Sequence, residues 1–174
     1  MKKRVLTKAK SLLAVLLVFS LVFLCISKNY AQETMKVNVK ADCRHPARTV
    51  IEASGFKIII DEPEPYGTNL AANPVEYLLA AFAGCLNVIC HLAAQEMGFE
   101  LKNLEIEIEG DLNPSKAMGT SMAERAGYKE IRIKFKPDTD ADKETLKKWV
   151  EAVTDRCPVH DSISNATPVK ISLE

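Results

Sequence analysis

The sequence predicts an α+β protein built from an antiparallel sheet, a long buried central helix and a second, amphipathic helix. Three observations support this fold class. Segments that alternate apolar and polar residues follow one another across short turns, which favours antiparallel pairing. The segment from residue 74 to about 97 is apolar on nearly every side and has capping residues at both ends. A later segment, residues 140–156, repeats apolar residues at helical spacing among charged ones.

The first 31 residues differ from the rest of the 174-residue chain. A basic start precedes an apolar run from Leu12 to Ile26, and a short polar stretch then ends at Ala31. These are the three parts of a secretory signal peptide, and the run is shorter than the about 20 residues of a membrane-spanning helix. We therefore expect residues 1–31 to be a signal peptide and residues 32–174 to be one exported, periplasmic or otherwise extracytoplasmic domain. An uncleaved segment that anchors the protein in the membrane is the alternative.

Charge and motifs limit the classes of function. Residues 1–31 contain six basic and no acidic residues, so the remaining chain has 17 basic and 23 acidic residues, a net charge of −6. No basic stripe interleaved with aromatic residues is present, which argues against nucleic acid as a partner. The sequence also has no glycine-rich nucleotide loop, zinc-protease motif or serine-hydrolase motif. We therefore expect no cofactor, and the cysteine thiols remain as the candidates for chemistry.

Three strands are predicted ahead of the central helix. Residues 35–42 alternate, with Val37 and Val39 on one face, and residues 48–53 and 56–61 flank a Ser-Gly turn. A loop rich in proline and glycine follows them. Strands this close in sequence are expected to pair with one another.

Local signals define both ends of the central helix. Asn73 is suited to the N-cap, Pro74 to the first helical position, and Glu76 completes a capping box. The helix is expected to run to about Met97, because Gly98 is a typical terminator. Because nearly all side chains between these ends are apolar, the helix is predicted to lie buried at the centre of the fold.

The second half of the chain is predicted to contain three further strands and two helices. Residues 104–110 and 128–136 alternate as half-exposed strands, and residues 140–156 form the amphipathic helix. Residues 159–165 are long enough for one or two helical turns, and residues 168–173 are predicted to form a last strand.

Two of the four cysteines that follow the signal peptide carry the main hypotheses. Cys157 precedes Pro158 and is a candidate N-cap, where unpaired N–H groups stabilise a thiolate; a small buried residue at a helix junction is the alternative. Cys85 lies in the middle of an apolar helix, where burial should raise its pKa and leave it inert unless a cation reaches it. Arg44 and Arg48, on or beside the early strands, are the candidate cations.

The other cysteines and histidines allow weaker interpretations. Cys90 points about 140° away from Cys85 on the helix and is expected to be a core thiol. Cys43 and His45, together with Cys157 and His160, offer four potential zinc ligands, although their spacings are loose. His160 is either a proton donor near Cys157 or a solvated surface histidine.

Two motifs resemble those of a known family. The run Asn-Pro-Val-Glu-Tyr-Leu-Leu-Ala-Ala-Phe-Ala-Gly-Cys at residues 73–85 closely resembles the central helix of the OsmC/Ohr family. That family has an Asn-Pro-x-Glu-Leu-Leu-Ala-Ala pattern that ends in a small residue and a cysteine. Arg-Cys-Pro-Val at residues 156–159 resembles its second motif, and the resemblance covers about residues 35–174.

The resemblance implies both an assembly and an activity. The assembly is an intertwined homodimer with the two long helices at its core. The activity is thiol-dependent reduction of small organic hydroperoxides, with Cys85 as the peroxidatic thiolate, Cys157 as the resolving thiol and an unidentified dithiol as reductant. The family activates its peroxidatic cysteine with an arginine, which the partner subunit can supply; Arg48 is the match and Arg44 the second candidate.

One position departs from the peroxidase pattern. Those members have a glutamate directly after Asn-Pro, which positions the arginine, whereas this chain has Val75 there. Glu76 comes one residue later and about 100° round the helix, and it is the candidate replacement. The pattern therefore looks more like the broader OsmC-like branch. A non-enzymatic protein that binds a small ligand or a partner, and a general thiol–disulfide exchanger acting through Cys157, are the alternative functions.

Overall fold

A computed structural model describes residues 34–173, and the predicted signal peptide lies outside the described residues. Within them the chain forms five strands and three helices. Their order and bounds are β1 (Lys40–Asp42), β2 (Thr49–Ala53), β3 (Phe56–Ile60), α1 (Pro74–Met97), β4 (Asn103–Asp111), β5 (Glu130–Asp138), α2 (Lys143–Arg156) and α3 (Pro158–Ser164). The α+β class predicted from the sequence is confirmed.

The strands form two sheets rather than the single one expected. One sheet has the order β1-β2-β3, and the other contains β4 and β5. The β2–β3 and β4–β5 pairs are antiparallel, as predicted from their short connections. The β2–β3 turn contains Ser54 and Gly55 with φ values of 50° and 85°, in the left-handed region that tight hairpins use.

Both terminal strands predicted from alternation differ in the structure. Of the strand expected at residues 35–42, only Lys40–Asp42 forms, and Val37 and Val39 are exposed. The strand expected at residues 168–173 does not form, and its apolar side chains are also exposed. A strand needs a neighbour for its backbone N–H and C=O groups, and the described residues provide none for these segments.

A buried carboxylate organises the loop that leads from β3 to α1. Asp61 has no exposed surface and accepts hydrogen bonds from the backbone N–H groups of Glu62, Thr68 and Leu70 and from the Thr68 hydroxyl. The Thr68 hydroxyl is the main cause that lowers the pKa of Asp61 to about 2, although burial opposes it. The Asp61 N–H also donates to the Ala72 carbonyl at 3.3 Å, which holds the end of β3 near the start of α1.

The ends of α1 are those predicted from the sequence. The Asn73 side chain accepts from the Glu76 N–H, and the Glu76 carboxylate accepts from the Asn73 N–H, both at 2.9 Å. Pro74 occupies the first turn, and Gly98 ends the helix at a φ of 77°. Reciprocal capping of this kind satisfies backbone donors that would otherwise have no partner.

Only one face of α1 is buried, which limits the prediction of a fully buried helix. That face contains the residues Phe82, Leu86, Cys90, Ala93 and Ala94. On the opposite face, Val88 is 55% exposed and Leu92 is 43% exposed. Among the described residues, α1 is also the one helix long and apolar enough to cross a membrane, but a core helix passes the same test.

The core forms between α1, α2 and the β4–β5 sheet. Trp149 of α2 is 1% exposed, and its indole N–H donates to the Cys90 carbonyl of α1 at 2.8 Å. Phe99 and Phe135 meet the Trp149 ring edge to face. No residue of β1, β2 or β3 belongs to the buried cluster found among residues 34–173, so the first sheet adds little to this core.

Candidate functional site

The fold brings the two motif cysteines into contact. Cys85 lies in the middle of α1, and Cys157 lies at the junction where α2 ends and α3 begins. Their Sγ atoms are 2.9 Å apart, although the residues are 72 positions apart in the sequence. Both thiols are free. A pair this close is suited to reversible conversion between a dithiol and a disulfide, in which the sulfur atoms are about 2.05 Å apart.

The first N–H groups of α3 point at the two sulfur atoms. Cys157 is the N-cap of α3, as predicted, and the His160 N–H reaches its Sγ at 3.4 Å. The Val159 N–H is directed at the Cys85 sulfur. Pro158 has no N–H, so Val159 and His160 supply the first two donors of the helix. The same helix start therefore provides a hydrogen-bond donor to each sulfur.

Burial distinguishes the two thiols. Cys157 has no exposed surface, whereas Cys85 is only partly buried. Burial is the main cause that raises the pKa of Cys85, the hydrogen bond with Cys157 adds to it, and the Val159 N–H partly offsets it. The raised pKa agrees with the sequence-based expectation for a mid-helix thiol without a nearby cation.

Cys90 is a third thiol near the pair, but it lies in the core. It has no exposed surface, and burial raises its pKa to about 12, with a smaller contribution from Cys157. A thiol with so little thiolate at neutral pH is a poor nucleophile. The prediction that Cys90 is a core thiol is confirmed.

Contacts between distant residues hold the junction around Cys157, and sequence analysis did not identify them. Arg156 forms a bidentate ion pair with Glu96 near the end of α1, with N–O distances of 2.5 and 3.0 Å. The His160 ring stacks on Phe82 at 6.0 Å, and its Nδ1 lies 2.9 Å from the Thr154 carbonyl. These contacts tie α1, α2 and α3 together, but no local sequence signal marks pairs as distant as Glu96 and Arg156.

The candidate activating residues do not reach the thiols within one chain. The Arg48 N–H donates to His45 Nδ1 at 2.9 Å, and no bond joins its guanidinium to Cys85 among residues 34–173. Arg44 pairs with Asp42 at 2.5 Å. Glu76 caps α1 through its carboxylate. The three side chains are therefore separate from the sulfur pair in the single chain.

The potential zinc ligands are also not brought together. Cys43 is exposed and accepts a long hydrogen bond from the Thr49 hydroxyl at 4.0 Å, while His45 accepts backbone N–H groups. Cys157 is paired with Cys85 on another part of the chain. Within residues 34–173, no group of three or more potential ligands is positioned to hold a metal ion.

A cavity of about 670 Å³ lies beside the thiol pair, between α1, β5 and α3. Neither Cys85 nor Cys157 lines it. Phe82 and His160 do, and each is three residues from one of the two cysteines. The other lining residues are divided between apolar ones, such as Val75, Leu78, Ile131, Ile133 and Ile163, and polar or charged ones, such as Arg125, Lys129, Glu130 and Ser162.

Comparison with known proteins agrees with this fold and identifies the family. The sequence matches the family described as OsmC-like protein over residues 67–172. A hydroperoxide reductase of Mycoplasma genitalium is 24% identical over 123 residues, which are 70% of this chain and 82% of the relative.

Solved structures give the same result for the fold. An OsmC-like protein of Mycoplasma pneumoniae has a TM-score of 0.65 and 18% identity, with 76% of this chain and 89% of that chain covered. An organic hydroperoxide resistance protein OsmC of Legionella pneumophila has a TM-score of 0.54 and 16% identity, with 76% and 91% covered. The family match covers more than half of the sequence and includes both cysteine motifs, and so this chain belongs to the OsmC-like family.

Proposed function

We propose that this protein is an exported, thiol-dependent reductase of organic hydroperoxides, with Cys85 as the peroxidatic and Cys157 as the resolving cysteine. The observation that carries the proposal is the 2.9 Å distance between their Sγ atoms. The assignment of roles rests on access. A peroxide has to reach the first sulfur, and Cys85 is partly exposed while Cys157 is fully buried. The relatives described as a hydroperoxide reductase and a hydroperoxide resistance protein support the same chemistry.

The proposed reaction consumes one peroxide for two thiols. The Cys85 thiolate attacks the outer oxygen of the hydroperoxide, the O–O bond breaks, and the alkoxide leaves with its electron pair and takes up a proton. Cys85 becomes a sulfenic acid. The Cys157 thiol then attacks the Cys85 sulfur and expels the oxygen as water, which forms the disulfide. The Val159 N–H lies where it can stabilise the initial Cys85 thiolate.

A second copy of the chain is part of the proposal. The exposed apolar face of α1 and the exposed Phe56 and Ile59 of the β2–β3 hairpin are surfaces that a homodimer would cover. The hairpin adds nothing to the buried cluster of its own chain. Arg48 directly precedes β2 and makes no bond to Cys85 of its own chain, so we assign it to Cys85 of the partner subunit. An arginine near that thiol would lower its pKa and favour the reactive thiolate.

Export is the remaining part of the proposal, and it rests on the basic and apolar pattern of residues 1–31. It also affects the choice of reductant, because an extracytoplasmic site would need a dithiol that is available there. Detection of the chain only in the cytoplasm after cell fractionation would exclude export and leave the thiol chemistry unaffected.

The test uses peroxide titration followed by mass mapping of the cysteines. One equivalent of cumene hydroperoxide should convert Cys85 and Cys157 into an intramolecular disulfide, and Cys43 and Cys90 should stay reduced. In a Cys157→Ser variant, Cys85 should instead stop at the sulfenic acid and react with dimedone. Recovery of both thiols in the free state after an excess of peroxide would refute the proposal.

The cavity beside the thiols favours a second candidate, a non-enzymatic protein that binds a small apolar ligand. Its volume of about 670 Å³ falls within the range of small-molecule sites, and its lining includes apolar side chains from α1, β5 and α3. This candidate predicts that cis-parinaric acid binds the chain and that a Leu78→Trp variant, which narrows the cavity, no longer binds it. Such binding, together with thiols that do not react with peroxide, would favour this function over peroxide reduction.

A further inference from the structure

The two sulfur atoms of the candidate site differ in whether anything outside the chain can reach them. Cys157 is part of the buried cluster together with Phe82, Leu86 and Val153, and it has no exposed surface. Cys85 retains exposed surface on α1. A second subunit can only add burial, so Cys157 stays enclosed by its own chain in any assembly.

We propose that the reductant enters the cycle at Cys85, so that an external thiol forms a mixed disulfide with Cys85 and expels Cys157 as the leaving thiolate. The inference rests on the proposed function, because the Cys85–Cys157 disulfide is the oxidised state of that cycle. It adds that oxidation and reduction both take place at the Cys85 sulfur, and that Cys157 never reacts with a molecule from outside.

The geometry of disulfide exchange supports this direction. The attacking thiolate, the attacked sulfur and the leaving sulfur lie close to one line, so attack at one sulfur comes from the side away from the other. For Cys157 that approach leads through buried residues. Cys85 keeps exposed surface, so an approach from outside the chain is possible at this sulfur and not at Cys157.

The leaving sulfur also has a hydrogen-bond donor within reach. The His160 N–H lies 3.4 Å from Cys157 Sγ and is placed to bond a thiolate that forms there. A good leaving sulfur speeds the exchange. The N–H groups at the start of α3 therefore suit a cycle in which the Cys85–Cys157 bond breaks and re-forms. In this cycle Cys85 is bonded in turn to Cys157 and to the external thiol.

The electrons and protons balance with a dithiol as the reductant. Its first thiolate attacks Cys85 Sγ, the Cys85–Cys157 bond breaks, and the electron pair moves to Cys157, which takes up a proton. The second thiolate of the reductant then attacks its own sulfur in the mixed disulfide. Cys85 leaves as a thiolate, and the reductant departs as a disulfide with two fewer electrons and two fewer protons.

The first experiment traps the mixed disulfide in the full chain with Cys25 and Cys43 replaced by serine. The Cys85–Cys157 disulfide is formed with diamide, which does not require peroxidase activity, and is then treated with glutathione and quenched in acid. Mass mapping at the earliest times should place the adduct on Cys85 with at least about tenfold preference, because exchange depends on access to the attacked sulfur. An adduct predominantly on Cys157 would overturn the inference.

The second experiment compares the thiols one at a time in the same background. Glutathione disulfide should modify Cys85 in a Cys157→Ser variant at least about 100-fold faster than Cys157 in a Cys85→Ser variant, because a buried thiol reacts only through local opening. In concentrated urea the two rates should become similar. Comparable rates in the folded variants would also overturn the inference, even if the mixed disulfide cannot be trapped.

Failure of this inference can be told apart from failure of the proposed function. Neither experiment uses a peroxide. Selective modification of Cys85 in a protein that does not reduce peroxides would refute only the proposed function. Efficient peroxide reduction together with modification of Cys157 by the external thiol would refute only the inference.

Discussion

Closing the Cys85–Cys157 disulfide should raise the free energy of unfolding by up to about 4 kcal/mol. The bond would join residues 72 positions apart, and the loss of loop entropy in the unfolded chain gives this value at 25 °C. The folded chain needs little rearrangement to reach the bonded state, because its two sulfur atoms are already 2.9 Å apart. Strain in the folded protein would subtract from the gain.

Urea unfolding of the reduced and diamide-oxidised protein measures this difference. Trp149 is the only tryptophan in the sequence and is 1% exposed, so its fluorescence reports on the core around the junction. The protein has Cys25 and Cys43 replaced by serine, and its concentration is held constant because association also changes apparent stability. A Cys157→Ser variant treated with diamide is the matched control and should not change.

Equal or lower stability after oxidation would refute the reasoning. It would mean that α1 has to move away from the junction of α2 and α3 before the bond can close. The 2.9 Å contact would then not represent a state ready for disulfide formation.

Three further predictions test the residues around the site. Arg48→Ala should slow alkylation of Cys85 at neutral pH at least about tenfold, because loss of a nearby cation raises the pKa of a thiol. Arg44→Ala is the matched control and should leave the alkylation rate unchanged. An unchanged rate in Arg48→Ala would show that Arg48 does not act on Cys85. Gly84→Ala should weaken the homodimer in sedimentation experiments, because it adds a side chain to the exposed face of α1. An unchanged dimer whose free energy of unfolding rises by about 1 kcal/mol would show that this face of α1 lies outside the dimer interface. Asp61→Asn should lower the urea midpoint at neutral pH, and the difference from the parent protein should shrink as the pH falls below about 4 towards 2. Because the pKa of Asp61 is lowered to about 2 in the folded chain, its carboxylate contributes stability above the ordinary carboxyl pKa, and this stability is lost as the pH falls to about 2. Equal urea midpoints of the two proteins at neutral pH would contradict the role of the carboxylate.

The features that depend on neighbours along the chain could be predicted from the sequence. Asn73, Pro74 and Glu76 cap α1 as expected, and Gly98 ends it, because capping uses atoms within four residues of one another. Cys157 is the N-cap of α3 for the same reason. The alternation of β4 and β5 likewise identified both strands, since side chains of a strand alternate regardless of what the strand packs against.

Alternation did not determine whether a segment finds a strand to pair with. Val37 and Val39 alternate as well as the residues of β4 do, yet they are exposed and outside any strand. The same holds for Val169 and Ile171 near the end of the chain. Pairing requires a partner strand, and whether one is available depends on the whole assembly rather than on the segment itself.

The sequence by itself determined the helix ends, the strand alternation, and the presence of one thiol at a helix start and one in a helix interior. Only the tertiary structure decided that these thiols meet at 2.9 Å, that Cys157 is enclosed and Cys85 is partly open, and that Val159 and His160 direct N–H groups at them. It also decided the contacts that hold the junction, from Trp149 to the Cys90 carbonyl and from Arg156 to Glu96. The physical reason is the range of each interaction. Capping and alternation act between residues a few positions apart, whereas burial and sulfur–sulfur contact depend on how distant segments pack together.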